Sequence, residues 1–276
     1  MSRVIYTSYV AIGDSLSEGL GDFNFETQRE HNGWTDRLAA LLSAEAKELG
    51  VDFRYANLAL RGSKIRTIMG SQLEAALRLQ PDLVTIMAGS NDFMASDEAL
   101  LELEQLYRDG IQLLLAAGCD VLVANTIRPA HLRVFKKVLP RASRMSSMIE
   151  RVARDLGVQV IDVHGTEWIS RLCYWAEDMV HFSGHGHIKI ANHAAEMLGL
   201  KFRMPELPES QMQAPPRGPV ATLRWVVLYV IPFIERRIRG TSSGDGMSSK
   251  HLHLVSYTGQ AFQTVRVREI NYARAA

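Results

Sequence analysis

Short apolar runs alternate with longer stretches of helical period up to about residue 200. Tyr9 to Ile12, Phe53 to Leu58, Leu83 to Ala88, Val121 to Ala124 and Val158 to Ile161 read as strands; the second is a weaker pattern and the third a strong one. Between them lie helical patterns at Thr35 to Leu49, Gly70 to Leu79, Asp97 to Ala117, Arg141 to Leu156 and His185 to Leu198. In the third, Leu100, Leu101, Leu103, Leu106, Ile111 and Leu114 recur at helical spacing, and Asp97 is the expected N-cap. Strands alternating with helices predict βαβ units, hence an α/β fold with a five-stranded parallel sheet and helices on both faces.

After Leu200 the pattern changes. Met204 to Pro219 holds five of the nine prolines and has no clear period, so residues 1–203 are expected to form one domain and residues 204–276 a linker and C-terminal arm. Within the arm, Leu223, Val226, Val227, Val230, Ile231 and Ile234 fall on one stripe of an amphipathic helix, followed by Arg236, Arg237 and Arg239. Pro232 is expected to kink or end that helix near residue 231. Packing against the domain or a second protomer is the expectation for this helix. The alternative is a helix resting on anionic lipid, with Trp225 and Tyr229 at headgroup level. Gly240 to Gly246 reads as a flexible turn.

Composition narrows the function. The chain of 276 residues is 47% hydrophobic and 22% charged, an ordinary globular balance. A net charge of +1 supplies no field for gripping nucleic acid, which is not expected as a partner. Cys119 and Cys173 cannot form a disulfide framework and read as buried free thiols. The longest apolar run, Trp225 to Ile234, is too short to span a bilayer, and Met1 to Tyr6 carries no secretion pattern, so the expected location is the cytoplasm.

In open parallel sheets ligands bind beyond the carboxyl ends of the strands. There this chain places Gly13-Asp14-Ser15, Arg61-Gly62, Gly89-Ser90-Asn91-Asp92 and, later, Asp178-Met179-Val180-His181. These residues suit acyl transfer. A serine hydroxyl needs a base within hydrogen-bond reach, which His181 can supply. Asp178 can hold the ring tautomer and stabilise the imidazolium. The oxyanion of a tetrahedral intermediate needs donors, for which the Ser15 N–H, the Gly62 N–H and the Asn91 amide are candidates.

Val10-Ala11-Ile12-Gly13-Asp14-Ser15-Leu16-Ser17-Glu18-Gly19 resembles the first block of the GDSL, or SGNH, hydrolase superfamily. Asn57 to Gly62 resembles the second block, Gly89 to Asp92 the third, and Asp178-x-x-His181 with the following Gly186-His187 the last. Asn32-Gly33-Trp34 and Arg37-Leu38-Ala39 resemble the segment after the first block. The resemblance covers about residues 7 to 200 and implies a flavodoxin-like three-layer α/β/α sandwich. It implies a serine esterase working through an acyl-enzyme without a cofactor, in a family of esterases, lipases, thioesterases and carbohydrate deacetylases. Deacetylation of a sugar is the first alternative activity, and a lysophospholipase or thioesterase activity the next. It also implies Ser15 as nucleophile, Gly62 and Asn91 as oxyanion donors, and Asp178 and His181 as acid and base. Asp14 is expected to support the turn only.

Competing readings attach to the same residues. Asp178, His181, His185 and His187 fall within ten residues and could hold zinc in a metal-dependent hydrolase, but there is no HExxH and both cysteines lie elsewhere. His185 and His187 are therefore expected to cap or support, and no metal is expected. His164, after Asp162, is a further candidate base. Gly13, Gly19 and Gly21 have the wrong spacing for a dinucleotide site. The expected partner is a small-molecule ester.

Overall fold

The computed structural model describes residues 5–22, 31–128, 139–239 and 241–267. Five parallel strands, β1 (Ser8–Gly13), β2 (Arg54–Asn57), β3 (Leu83–Met87), β4 (Asp120–Ala124) and β5 (Gln159–Ile161), lie in the order β5-β4-β3-β1-β2. Their side chains alternate between two apolar layers, as a strand period of two requires. Tyr9, Ala11, Leu83, Met87, Leu122 and Ala124 face one layer; Val10, Ile12, Val84, Ile86, Val121 and Val123 face the other.

Helices fill both layers. After the short α1 (Ser15–Glu18), α2 (Trp34–Glu48) brings Trp34, Leu38 and Leu41 onto the first face. The second face is covered by a continuous helical segment in which α3 (Ile65–Thr67) passes through a π-turn (Ile68–Gln72) into α4 (Leu73–Leu79). α5 (Asp97–Ala116) and α6 (Leu139–Leu156) complete that layer through Tyr107, Ile111, Ile149 and Val152, while α7 (Gly184–Met197) joins α2 through Ile190 and Ala194. The result is a three-layer α/β/α sandwich with flavodoxin-type strand order.

Several expectations change. Ser96, not Asp97, caps α5: its side chain accepts the Ala99 N–H, and Asp97 sits in the first turn, where a carboxylate favours the positive end of the helix. The sheet has a sixth strand, β7 (His251–Ser256), antiparallel to β2. Its six residues come from the arm and close the edge of β2, so no βαβ rhythm announces them. β6 (Phe202–Arg203) and β8 (Val265–Arg266) form a small separate pair.

Pro232 does not end the arm helix. α8 (Pro219–Trp225) runs through a π-turn (Val226–Val230) into α9 (Ile231–Ile238). The wide turn, in which the Ile231 N–H bonds the Val226 carbonyl, re-spaces the ladder directly before the residue that has no N–H to give. The expected stripe also divides. Val226 and Val230 are half-buried, but Leu223, Val227 and Ile231 are exposed, while Trp225 and Tyr229 turn inward. Gly240 and the side chains of Ile234 and Arg237 lie outside the described residues. Of the two thiols, Cys119 is buried and Cys173 half-buried.

The arm is anchored by a buried charge pair. Lys250 Nζ lies 2.8 Å from Asp36 Oδ2, with side-chain exposures of only 8% and 7%. Asp36 also accepts from the Gly33 N–H at 2.7 Å and the Tyr55 hydroxyl at 3.1 Å. Removing one partner of a buried pair strands the other charge, so Lys250→Ala should cost about 3 kcal/mol of unfolding free energy in urea. The double change Asp36→Asn/Lys250→Met should lose clearly less; equal losses would deny that the stranded charge is the cause.

Candidate active site

β1 pairs with β2 on one side and β3 on the other, so the strand order reverses there and the loops after these three strands share one rim. β1 ends at Gly13, whose φ is +153°; a Cβ on it would lie 2.6 Å from the Met87 carbonyl and 2.5 Å from Ser17 Oγ. The chain can turn there only as glycine. Buried Gln72 clamps the turn: the Gly13 N–H donates to its Oε1 at 2.8 Å, and its Nε2 donates to the Gly13 carbonyl at 3.0 Å. Asp14 then caps α1, accepting the Leu16 N–H at 3.0 Å. Ser15 opens that helix, and Gly19, at φ +103°, closes it.

A tight hairpin delivers the imidazole. Trp175 bridges Phe182, the Ala176 N–H donates to the His181 carbonyl at 2.9 Å, and the Ser183 N–H donates to the Tyr174 carbonyl at 2.9 Å. At its tip Met179 takes φ +60°, a left-handed conformation rare outside glycine. Asp178 Oδ1 accepts the N–H groups of Val180 and His181 at 3.0 and 2.9 Å. Its Oδ2 lies 2.5 Å from His181 Nδ1, and His181 Nε2 lies 2.9 Å from Ser15 Oγ. With the Nδ1 proton held against the carboxylate, Nε2 is left to accept from the serine hydroxyl. Burial pushes the Asp178 carboxyl up, but the hydrogen bond and charge of His181 and the two N–H groups outweigh it, holding the group below its usual range.

The loops after β2 and β3 face the same serine rim. Gly62 has φ +78° in the turn closed by the Ser63 N–H on the Leu60 carbonyl at 3.1 Å. Glu18, from the serine-bearing helix, fixes this loop: it accepts the Arg61 N–H at 2.7 Å and pairs with the Arg61 guanidinium. Asn91 Nδ2 donates one hydrogen to the Ser63 carbonyl at 3.0 Å, which leaves its second hydrogen for another acceptor. Asp92 accepts the Ile65 N–H at 3.0 Å and so ties the loop to the start of α3. A Cβ on Gly62 would collide with Ser242 Oγ of the arm.

The histidine cluster divides by role. His187 is buried; its Nδ1 accepts the Trp34 N–H at 3.2 Å and its Nε2 donates to the Leu20 carbonyl at 3.0 Å. Burial, and then the Arg37 charge, push it down to about 3, so it is neutral with both nitrogens engaged. No group of three potential ligands converges among the described residues. His164 bonds the Thr126 carbonyl and Ser143, and not Ser15.

Sequence reasoning missed Gln72, Glu18 and Trp225, whose indole donates to the Asp178 carbonyl at 2.7 Å. A glutamine amid the apolar positions Met69, Leu73 and Ala76 was the available signal for the first.

The fold is a three-layer α/β/α sandwich whose rim brings Ser15, His181 and Asp178 into one hydrogen-bonded chain. Residues 11–188 match the family model described as GDSL-like Lipase/Acylhydrolase family, and the chain belongs to that family as a carboxylic ester hydrolase. Among solved structures it is similar to the acetylxylan esterase Axe2 from Geobacillus stearothermophilus, at 19% identity and a TM-score of 0.56, covering 70% of this chain and 94% of that one. It is also similar to LAE5, an alpha/beta hydrolase enzyme from the metagenome of Lake Arreo, Spain, at 21% identity and a TM-score of 0.56, covering 70% of this chain and 95% of that one. No curated protein matches the chain.

Asp14 gives a pH prediction. It is fully buried, its Oδ2 finds no hydrogen-bond partner among the described residues, and burial pushes its carboxyl up to about 7. The folded state therefore keeps this proton to higher pH than the unfolded chain, and the associated stability is lost as pH rises from about 4 to 7. Asp14→Asn keeps the cap acceptor and removes the titration. Its melting temperature relative to the parent should rise between about pH 4 and 8; parallel curves would refute the assignment.

Proposed function

We propose that the protein hydrolyses carboxylic esters through an acyl-enzyme formed on Ser15. The observation that carries this reading is the hydrogen-bonded chain from Ser15 Oγ to His181 Nε2 at 2.9 Å and from His181 Nδ1 to Asp178 Oδ2 at 2.5 Å. His181 takes the Ser15 proton as Oγ attacks the ester carbonyl, and Asp178 steadies the imidazolium. The Ser15 N–H, the Gly62 N–H and the free Asn91 hydrogen stabilise the oxyanion. The tetrahedral adduct collapses with loss of the alcohol, which takes the proton from His181. Water then attacks the acyl-enzyme with His181 again as base, releasing the acid and restoring Ser15. Every role falls to a group of the chain itself, and the reaction as drawn calls for no cofactor.

The glycine at 62 suits the donor role because its N–H stands in a turn already held by Glu18 and Ser63. Among the acyl groups, short acetyl esters of carbohydrates are a second reading, favoured by the fold shared with the acetylxylan esterase. p-Nitrophenyl esters of graded chain length compared with acetylated sugars separate the two.

Ser15→Ala should reduce ester turnover by at least about a thousandfold with an unchanged circular dichroism spectrum, and a fluorophosphonate probe should label Ser15 in the parent alone. Label on another serine would sink the assignment. Asn91→Ala should lower kcat by about a hundredfold with KM little changed, because its hydrogen acts chiefly when charge develops on the carbonyl oxygen. A loss confined to KM would make Asn91 a substrate-binding group instead.

A further inference from the structure

Among the described residues the arm helix has two apolar sides, one packed on the domain and one exposed. Trp225, Val226, Tyr229 and Val230, spaced by fours, face the domain and are half-buried. Trp225 is tied to the Asp178 carbonyl, and burial followed by the Glu177 and Asp178 charges pushes the Tyr229 hydroxyl up, which places this side on the loop that bears the triad acid. The other side carries Val220, Leu223, Val227, Leu228 and Ile231, which are between 49% and 82% exposed. Five large aliphatic side chains on one helix of a folded chain form a surface that expects a partner.

Charge selects the partner. Residues 217–239 hold five arginines and one glutamate, a net +4 in a chain whose total is +1. Arg217, Arg224, Arg236 and Arg239 are exposed, and of these Arg239 is paired with Glu235 at 2.6 Å. No helix among the described residues is long and apolar enough to cross a membrane, so this segment can lie on a bilayer but not span one. Exposed Val180, between Asp178 and His181, and Met94, three residues past Asn91, add apolar surface to the loops of the rim.

We propose that this exposed helical face, with its arginines, seats the protein on an anionic lipid surface and that its ester substrate is drawn from that surface. The second half rests on the esterase reading above; the first does not. Aliphatic side chains enter the acyl boundary, and the guanidinium groups reach the lipid phosphates as charge-assisted donors. Because the opposite side of the same helix rests on the Asp178 loop, docking holds the loop that carries Asp178 and His181 beside the interface.

The test uses full-length Ser15→Ala protein, so that binding is read without turnover. It should float with vesicles of phosphatidylcholine containing about 30 mol% phosphatidylglycerol, and at least tenfold less with phosphatidylcholine alone or in high salt. Leu223→Glu/Val227→Glu/Ile231→Glu should lower the vesicle-bound fraction at least tenfold. In the Ser15 background the same triple variant should keep p-nitrophenyl acetate turnover within about twofold while losing hydrolysis of vesicle-embedded ester. If the triple variant fails to fold, Arg224→Gln/Arg236→Gln supplies the test, with a several-fold loss on anionic vesicles only. Parent protein that stays with the soluble fraction, or a triple variant that floats as well as the parent, overturns the proposal. So does a dimer that the triple variant dissolves without any vesicle binding, since the face then belongs to a second copy. Lipid binding by a chain inactive on every ester would instead count against the hydrolase reading and leave the docking half standing.

Discussion

Everything at the rim depends on how β1 stops. Gly13 has Met87 on one side and Ser17 on the other, with no space for a side chain, and Gln72 holds both of its backbone polar groups at once. The same glutamine donates to Ser63 Oγ, next to Gly62. One buried amide therefore sets the serine turn and the neighbouring loop against each other. It stands where it does because the helix around it widens to a π-turn over Ile68–Gln72, a distortion that recurs at functional positions.

Around this clamp the rim is a set of mutual constraints. Glu18 runs from the serine helix to Arg61, Asn91 runs to Ser63, and Asp92 runs to the start of α3. The histidine arrives from a hairpin whose turn is made by Asp178 itself, so the carboxylate that orients the ring also shapes the backbone that carries it. The two oxygens of Asp178 divide these tasks.

Legibility in the sequence followed range. Ser15, Gly62, Asn91, Asp178 and His181 are legible as candidates because each sits in a short stretch of characteristic residues. The five parallel strands were visible because their apolar runs are local. Gln72 and Glu18 were not, since their partners are set by folding rather than by spacing. Asp97 is a good cap by residue type, but Ser96, one residue earlier, takes the position, and the choice between adjacent capping residues is made by backbone geometry. The arm helix misled because apolar residues occur around most of its circumference, so a single stripe could be drawn that the packing then divided. β7 pairs with a strand roughly two hundred residues earlier, and nothing near it in the chain records that.

That last pairing has a consequence for biosynthesis. Every group proposed for the chemistry has been translated by residue 181, yet β2 keeps an open edge until His251–Ser256 emerge. Asp36 waits as long for Lys250, which the same segment brings. A nascent chain that has already assembled its serine, histidine and aspartate thus still exposes a strand edge and a carboxylate lacking its counter-ion. Long-range closures of this kind are slow and leave unpaired edges open to neighbours. For this protein exposure to misassembly on the ribosome lasts late, past the translation of the residues proposed for its chemistry and until its sheet is complete.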